Sequence, residues 1–230
     1  MITKDVAEYL SRVHERKLES VTELSESGKG ISLVNDERQM YNFDKITEMI
    51  SGKREAPNSA DAMLVTNRQI LFTEFKSGFV KKINKRNFDY KRMDCPDKPS
   101  IICRPYANLF IENQNMENEQ LLDSLKLKAI ESYVTLEKQI LPLCEEKIIG
   151  KALRCVFGVV IDVPNDKEED ILNELAEVKD DESENTIAQI RQSLKRLSGN
   201  KCTNGETYLY DEIKVFSPYE FKKYLDGIAV

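Results

Sequence analysis

The stretch Ala60–Gly78, ADAMLVTNRQILFTEFKSG, constrains this chain more than any other. Ala60–Val65 and Ile70–Lys76 are apolar runs separated by the polar Thr66-Asn67-Arg68-Gln69. Two such runs around a short polar break read as a β-hairpin, and Asn tolerates the positive φ that tight hairpin turns use. A turn centred on Asn67-Arg68 pairs Val65 with Ile70, Met63 with Phe72 and Asp61 with Glu74. Side chains alternate along a strand, so Lys76 shares the face of Glu74. The pattern thus brings two carboxylates and one amine to one end of an apolar hairpin. Neighbouring carboxylates repel unless a cation lies between them, and oxygen donors of this kind suit Mg²⁺ or Mn²⁺. The competing reading is a surface salt bridge that closes the hairpin end.

Asp61, followed by Glu74-Phe75-Lys76 at the end of the next strand, resembles the core of the PD-(D/E)XK nuclease superfamily, the restriction-endonuclease-like fold. The downstream order is similar too. A helix is expected over Leu125–Leu141, an apolar strand over Leu153–Val163, and a closing strand and helix over Asp211–Leu225. The resemblance implies an α/β fold with a mixed central β-sheet flanked by helices. It implies that Asp61, Glu74 and the Phe75 backbone carbonyl ligate a divalent metal, while Lys76 positions or activates the attacking water. An E-x-K spacing alone carries little, since it recurs at Glu15/Lys17, Glu145/Lys147, Glu212/Lys214 and Glu220/Lys222. Only Glu74/Lys76 combines an apolar strand, a hairpin partner and an opposed Asp.

Members of that superfamily often carry a further acid on a helix before the Asp strand. Glu48 stands there by order, with Glu37 a weaker second. Yet Phe43, Ile46, Thr47 and Ile50 form the apolar face of the helix expected over Asn42–Ile50, and Glu48 points away from it. Asn42 is the expected cap of that helix. On the helix after the E-x-K strand, Lys128 and Ser132 are four apart and share a face. They could touch the scissile phosphate, although an ordinary polar stripe fits the same spacing. Ile101–Asn113 could add strands or shape specificity.

The 230 residues suit one domain, and 40% hydrophobic content supports a substantial core. No apolar run approaches the roughly 18 residues of a membrane-spanning helix, and MITKDVAEYL lacks a signal-peptide layout. The five cysteines include no C-x-x-C pair and His14 is the only histidine. Zinc is therefore not expected, and reduced thiols in a cytoplasmic protein fit best. Cys155 reads as core. His14 lies in a charged helical stretch and is expected to face solvent. No Ser/His/Asp or Cys/His nucleophile and no glycine-rich phosphate loop can be argued. Residues 1–26 read as one helix from the spacing of Val6, Leu10, Val13, Leu18, Val21 and Leu24.

Charge is unevenly placed. The net charge is −6, yet Lys76–Arg92 holds seven basic residues against Asp89 alone. Lys81, Lys82, Lys85 and Arg86, interleaved with Phe79, Phe88 and Tyr90, suggest a track for nucleic acid. A solvated loop whose aromatics return to the core is the alternative. Asp162–Glu184 holds eleven acids against two lysines. It reads as an acidic helical insertion over residues 168–197, with helices over Glu168–Val178 and Asn185–Leu197 and a charged break at Lys179–Glu184. Such a segment should lie away from nucleic acid or gate it. Asp162 reads as a strand-end cap.

These features point to a Mg²⁺- or Mn²⁺-dependent nuclease acting on DNA more readily than RNA. The resemblance adds restriction, antiviral defence or repair as settings. A catalytically inactive nucleic-acid-binding module and a protein-interaction subunit are the alternatives. A homodimer or a partner protein is compatible with either, and no membrane association is expected.

Overall fold

The computed structural model describes residues 2–28, 30–52, 55–83, 103–144, 154–162, 181–198 and 208–228. Its centre is a six-stranded mixed sheet in the order β1-β2-β3-β4-β5-β6. The strands are β1 (Leu18–Ser20), β2 (Gln39–Asn42), β3 (Ala62–Val65), β4 (Ile70–Lys76), β5 (Cys155–Ile161) and β6 (Glu212–Phe216). Strands β1 to β4 form an antiparallel meander, whereas β5 and β6 join in parallel. Helices carry the two parallel crossovers, as parallel pairing requires. These are α4 (Phe79–Ile83) and α5 (Cys103–Thr135) between β4 and β5, and α6 (Asp181–Leu194) between β5 and β6. The remaining helices are α1 (Ile2–His14), α2 (Val21–Leu24), α3 (Phe43–Ser51) and α7 (Pro218–Ile228).

Alternation along the strands divides the core between the two sheet faces. Ile70 and Phe72 of β4 and Phe157 and Val159 of β5 pack against α1, α3, α5 and α6. Leu71, Val156 and Val160 point the other way, against Val21 of α2 and Phe221 and Leu225 of α7. Gly158 of β5 also faces that side. A Cβ there would lie 3.2 Å from the Phe216 ring, so the site favours a residue without a side chain.

The hairpin has the register expected from its sequence: Val65 pairs with Ile70 and Met63 with Phe72. Its turn differs in detail, because no described non-glycine residue has positive φ. The Thr66 hydroxyl instead accepts the N–H groups of Arg68 and Gln69, which closes the turn with a side chain. Asn42 caps α3 by accepting the Lys45 N–H, and Gly52 ends that helix at φ 61°.

The single helix expected over residues 1–26 is broken. Ser20 and Glu23 form a reciprocal capping box that starts a new helix, and the preceding Leu18–Ser20 pairs with β2. His14 is buried rather than solvent-facing, with its ring 5.7 Å from that of Tyr9. Its apolar neighbours hold its pKa below the ordinary value through burial, with a smaller contribution from Lys17. The part of Ile101–Asn113 from Cys103 onward is helical and belongs to α5. The helix expected at Glu168–Val178 lies outside the described residues. The second helix of the acidic insertion is present as α6 but begins at Asp181, inside the expected break.

Tyr210, just before β6, fixes α5 to the sheet. Its ring is fully buried and meets Phe72, Tyr133 and Phe157 at centroid distances of 6.1, 5.7 and 5.4 Å. Its hydroxyl donates to the Ala129 carbonyl at 2.6 Å. Tyr210→Phe should lower the free energy of urea unfolding by about 1 kcal/mol through the lost hydrogen bond. Tyr210→Ala should cost about 3–5 kcal/mol, because it also opens a cavity.

Candidate metal centre

Asp61 immediately precedes β3 and is tied to both of its neighbours. Its carbonyl accepts the Phe43 N–H at 3.0 Å, and its Oδ2 accepts the Phe75 N–H at 2.7 Å. The side chain thus continues the ladder to β4 where the backbone pairing ends. The segment leading into Asp61 is clamped from two helices. Ala60 N–H donates to Ser132 Oγ at 2.8 Å, and Ser132 Oγ donates to the Lys128 carbonyl at 2.7 Å. Asn58 N–H donates to the Glu131 carboxylate. From the other side, Ser59 donates to Asp44 and lies 2.9 Å from the Thr47 hydroxyl of α3.

Glu74 points to the sheet face that α5 covers and is fully buried. Among the described residues two lysines reach it. Lys76 Nζ lies 2.6 Å from Glu74 Oε1. Lys128 Nζ, from α5, lies 2.8 Å from Glu74 Oε1, 3.0 Å from Oε2 and 3.1 Å from Asp61 Oδ1. The Lys128 ammonium therefore sits between the two carboxylates. Burial pushes the Glu74 pKa up to about 7, Asp61 adds to the effect, and Lys76 and Lys128 offset it only in part. Burial alone would lower the Lys128 pKa. Glu74 and Asp61 outweigh it, and the ammonium is held above its ordinary value.

A cleft of about 350 Å³ opens beside this cluster, lined in part by Asp61, Phe75, Lys76 and Asp44. Glu23 and Glu26 line it as well, so four carboxylates face one lysine across the opening. Asp44 in the first turn of α3 is partly buried. Burial raises its pKa, and its hydrogen bond from Ser59 and the charge of Lys128 oppose that rise.

The sequence-derived site is thus brought together at Asp61, Glu74, Lys76, Lys128 and Ser132. Lys128 contacts the carboxylates themselves, and Ser132 holds the backbone that delivers Asp61. Phe75 contributes its N–H to Asp61, while its ring packs against Phe221 on the opposite face. Glu48 is exposed on α3 and does not line the cleft, and Asp44 of the same helix does. The reason is axial: Asp44 lies in the first turn of α3 beside Ser59, and Glu48 lies one turn further along the same helix. Lys81 and Lys82 are exposed on α4, whereas Lys85 and Arg86 lie outside the described residues. Asp162 accepts the Phe79 N–H at 3.0 Å and so caps the start of α4.

Two residues here were open to sequence reasoning in principle. Lys128 falls between Leu125, Ala129 and Ser132, all fully buried, so it is a charge on the inward stripe of α5. Asp44 is harder to single out, since an acid in a first helical turn has an ordinary role against the helix dipole.

Among the described residues, no group of three or more His, Cys, Asp or Glu side chains gathers as a ready ligand cage. Two features nevertheless fit Mg²⁺ or Mn²⁺. The carboxylates are hard oxygen donors held on opposed strands. Glu74 Oε1 is buried and receives no well-directed hydrogen bond, although two ammonium groups lie close. An ion that keeps several waters needs only one or two carboxylates from the protein. Comparisons with protein-family models, with curated proteins and with solved structures give no match. Among the described residues no helix is long and apolar enough to cross a membrane.

The raised Glu74 pKa has a definite sign. Between pH 4.5 and about 7 the folded chain binds this proton more tightly than the unfolded chain does. Its contribution to stability is therefore complete below pH 4.5 and is lost as pH rises toward 7. Urea unfolding at pH 5 and pH 7.5 should show a steeper loss of stability for the wild type than for Glu74→Gln. Parallel pH dependence in the two proteins would mean that Glu74 stays ionised throughout.

Proposed function

We propose that this chain is a divalent-metal-dependent nuclease built on a restriction-endonuclease-like core, hydrolysing phosphodiester bonds of DNA in preference to RNA. The observation that carries the reading is the meeting of Asp61, Glu74 and Lys76 at the end of one hairpin, beside an acidic cleft. The acidity argues for metal rather than against nucleic acid. Four carboxylates repel a phosphate, so a substrate can approach only after a cation has changed the local sign.

Asp61, Glu74 and the Phe75 carbonyl would hold the ion, Mg²⁺ or Mn²⁺. When bound, it supplies charge neutralisation at the phosphate and a more acidic water. The chain's own residues do the rest. Glu74 holds the Lys76 ammonium at the cleft wall, where that ammonium can orient the attacking water or offset charge on the phosphorane-like transition state. In-line attack inverts the phosphorus centre and leaves no covalent link to the protein. The exposed Lys81 and Lys82 follow Lys76 closely and suit contacts to flanking phosphates.

A second reading has its own support. Lys128 already bridges both carboxylates, which favours a module that binds nucleic acid without cutting it. Incubating single- and double-stranded DNA and RNA with Mg²⁺, Mn²⁺ or EDTA separates the two. The nuclease reading expects metal-dependent cleavage that falls by roughly 10²-fold or more in Asp61→Asn, Glu74→Gln and Lys76→Ala. Salt-sensitive binding without cleavage would support the binding module. Cleavage that survives Asp61→Asn and Glu74→Gln would sink the assignment.

A further inference from the structure

The two carboxylates of the proposed metal centre already share a cation, and that cation belongs to the chain. We infer that Lys128 is an internal plug: its ammonium occupies the place a divalent ion would take, and the ion binds only as Lys128 withdraws. The inference rests on the metal reading given above.

Geometry comes first. Lys128 Nζ lies 2.8 Å from Glu74 Oε1 and 3.1 Å from Asp61 Oδ1, so it fills the space between the only two carboxylates that converge on it at this distance among the described residues. Mg²⁺ needs oxygen ligands at about 2.0–2.1 Å and cannot share that space with an ammonium. Charge gives the same answer. Lys76 and Lys128 both lie against Glu74 as the site stands. A divalent ion added without removing an ammonium would set three cations against one fully buried carboxylate.

The two lysines are not equivalent in this exchange. Among the described residues Lys76 pairs with Glu74 and not with Asp61, and it stands at the cleft wall, so it can remain. Lys128 bridges both carboxylates from α5, and it is a long unbranched side chain that can swing without moving the helix. The Lys128 carbonyl is held by Ser132, so the exchange involves the side chain and leaves the backbone in place. Metal affinity is therefore set by the difference between two cations competing for one pair of carboxylates. A binding-competent form populated only in part lowers apparent affinity in proportion.

The test measures Mn²⁺ binding by calorimetry at fixed pH, with no substrate present, for wild type, Lys128→Met and Lys128→Arg. Lys128→Met should bind Mn²⁺ at least about tenfold more tightly than wild type, because the competing charge is gone. Lys128→Arg keeps a cation and should bind no more tightly than wild type. Asp61→Asn added to Lys128→Met should abolish the gain. Equal or weaker binding by Lys128→Met would overturn the plug and leave the metal reading standing. Absence of Mn²⁺ binding in all three proteins would overturn the metal reading and the plug with it. Should Lys128→Met fail to fold, the wild-type chain provides the second measurement. Amine acylation at Lys128, read by mass spectrometry, should rise several-fold on adding Mn²⁺, with exposed Lys138 as the unchanged reference. Unchanged acylation at Lys128 under saturating Mn²⁺ would overturn the plug.

Discussion

A carboxylate on the covered face of a sheet is the constraint around which this molecule is arranged. Glu74 has no exposure to solvent, and an ionised group in that position is tolerated only with a cation against it. Lys128 meets that need, but only if α5 lies at one height and rotation over the sheet. Tyr210 sets the height by donating to the Ala129 carbonyl, one residue beyond Lys128. Ser132 fixes the rotation by accepting from Ala60. That same bond aligns the segment entering Asp61, so one helix both neutralises Glu74 and positions its partner acid. The apolar core and the charged cluster are thus parts of one packing solution.

Legibility from sequence followed the range of the interactions. The hairpin register was readable because period-two alternation and a four-residue polar break leave one pairing that buries the apolar side chains. With it came the proximity of Asp61, Glu74 and Lys76. The cap at Asn42 and the strands at β5 and β6 were readable for similarly local reasons. β1 and β2 were not, because Leu18–Ser20 and Gln39–Asn42 are too short to show a period. The spacing of Leu18, Val21 and Leu24 mimics a helix, and only the Ser20–Glu23 capping box marks the break. His14 illustrates the converse failure. Its charged sequence neighbours suggested solvent, but burial depends on Tyr9 and the packing of α1, which sequence spacing does not reveal. Choosing Asp44 over Glu48 requires knowing which turn of α3 meets the cleft, and that is set by the contacts of Ser59 with Asp44 and Thr47 rather than by α3 itself.

The two lysines at the centre illustrate how context divides one residue type into two roles. Both end within ion-pair distance of Glu74 Oε1. Lys76 comes from the strand that carries Glu74, so its distance to that carboxylate is fixed by the pleat. Lys128 comes from a different element and also engages Asp61, so its contact is tertiary and can be exchanged without disturbing the hairpin. A strand-borne amine suits a fixed role beside a reacting group. A helix-borne amine inserted between two acids suits reversible neutralisation.

Charge around the sheet edge extends this division. Strand β5 ends beside β4, and Asp162 at its end spends its carboxylate on the Phe79 N–H. That acid therefore starts α4, and the helix carries the exposed Lys81 and Lys82. On the other side the cleft wall holds Glu23, Glu26 and Asp44. A polyanion approaching this edge meets cations along α4 and carboxylates in the cleft. The first attracts it, and the second repels a phosphate unless a cation intervenes. On the proposed nuclease reading, holding the strand would then need no metal, whereas presenting a phosphodiester to Asp61 and Glu74 would. On the nuclease reading proposed above, the same polarity makes cutting conditional on the ion.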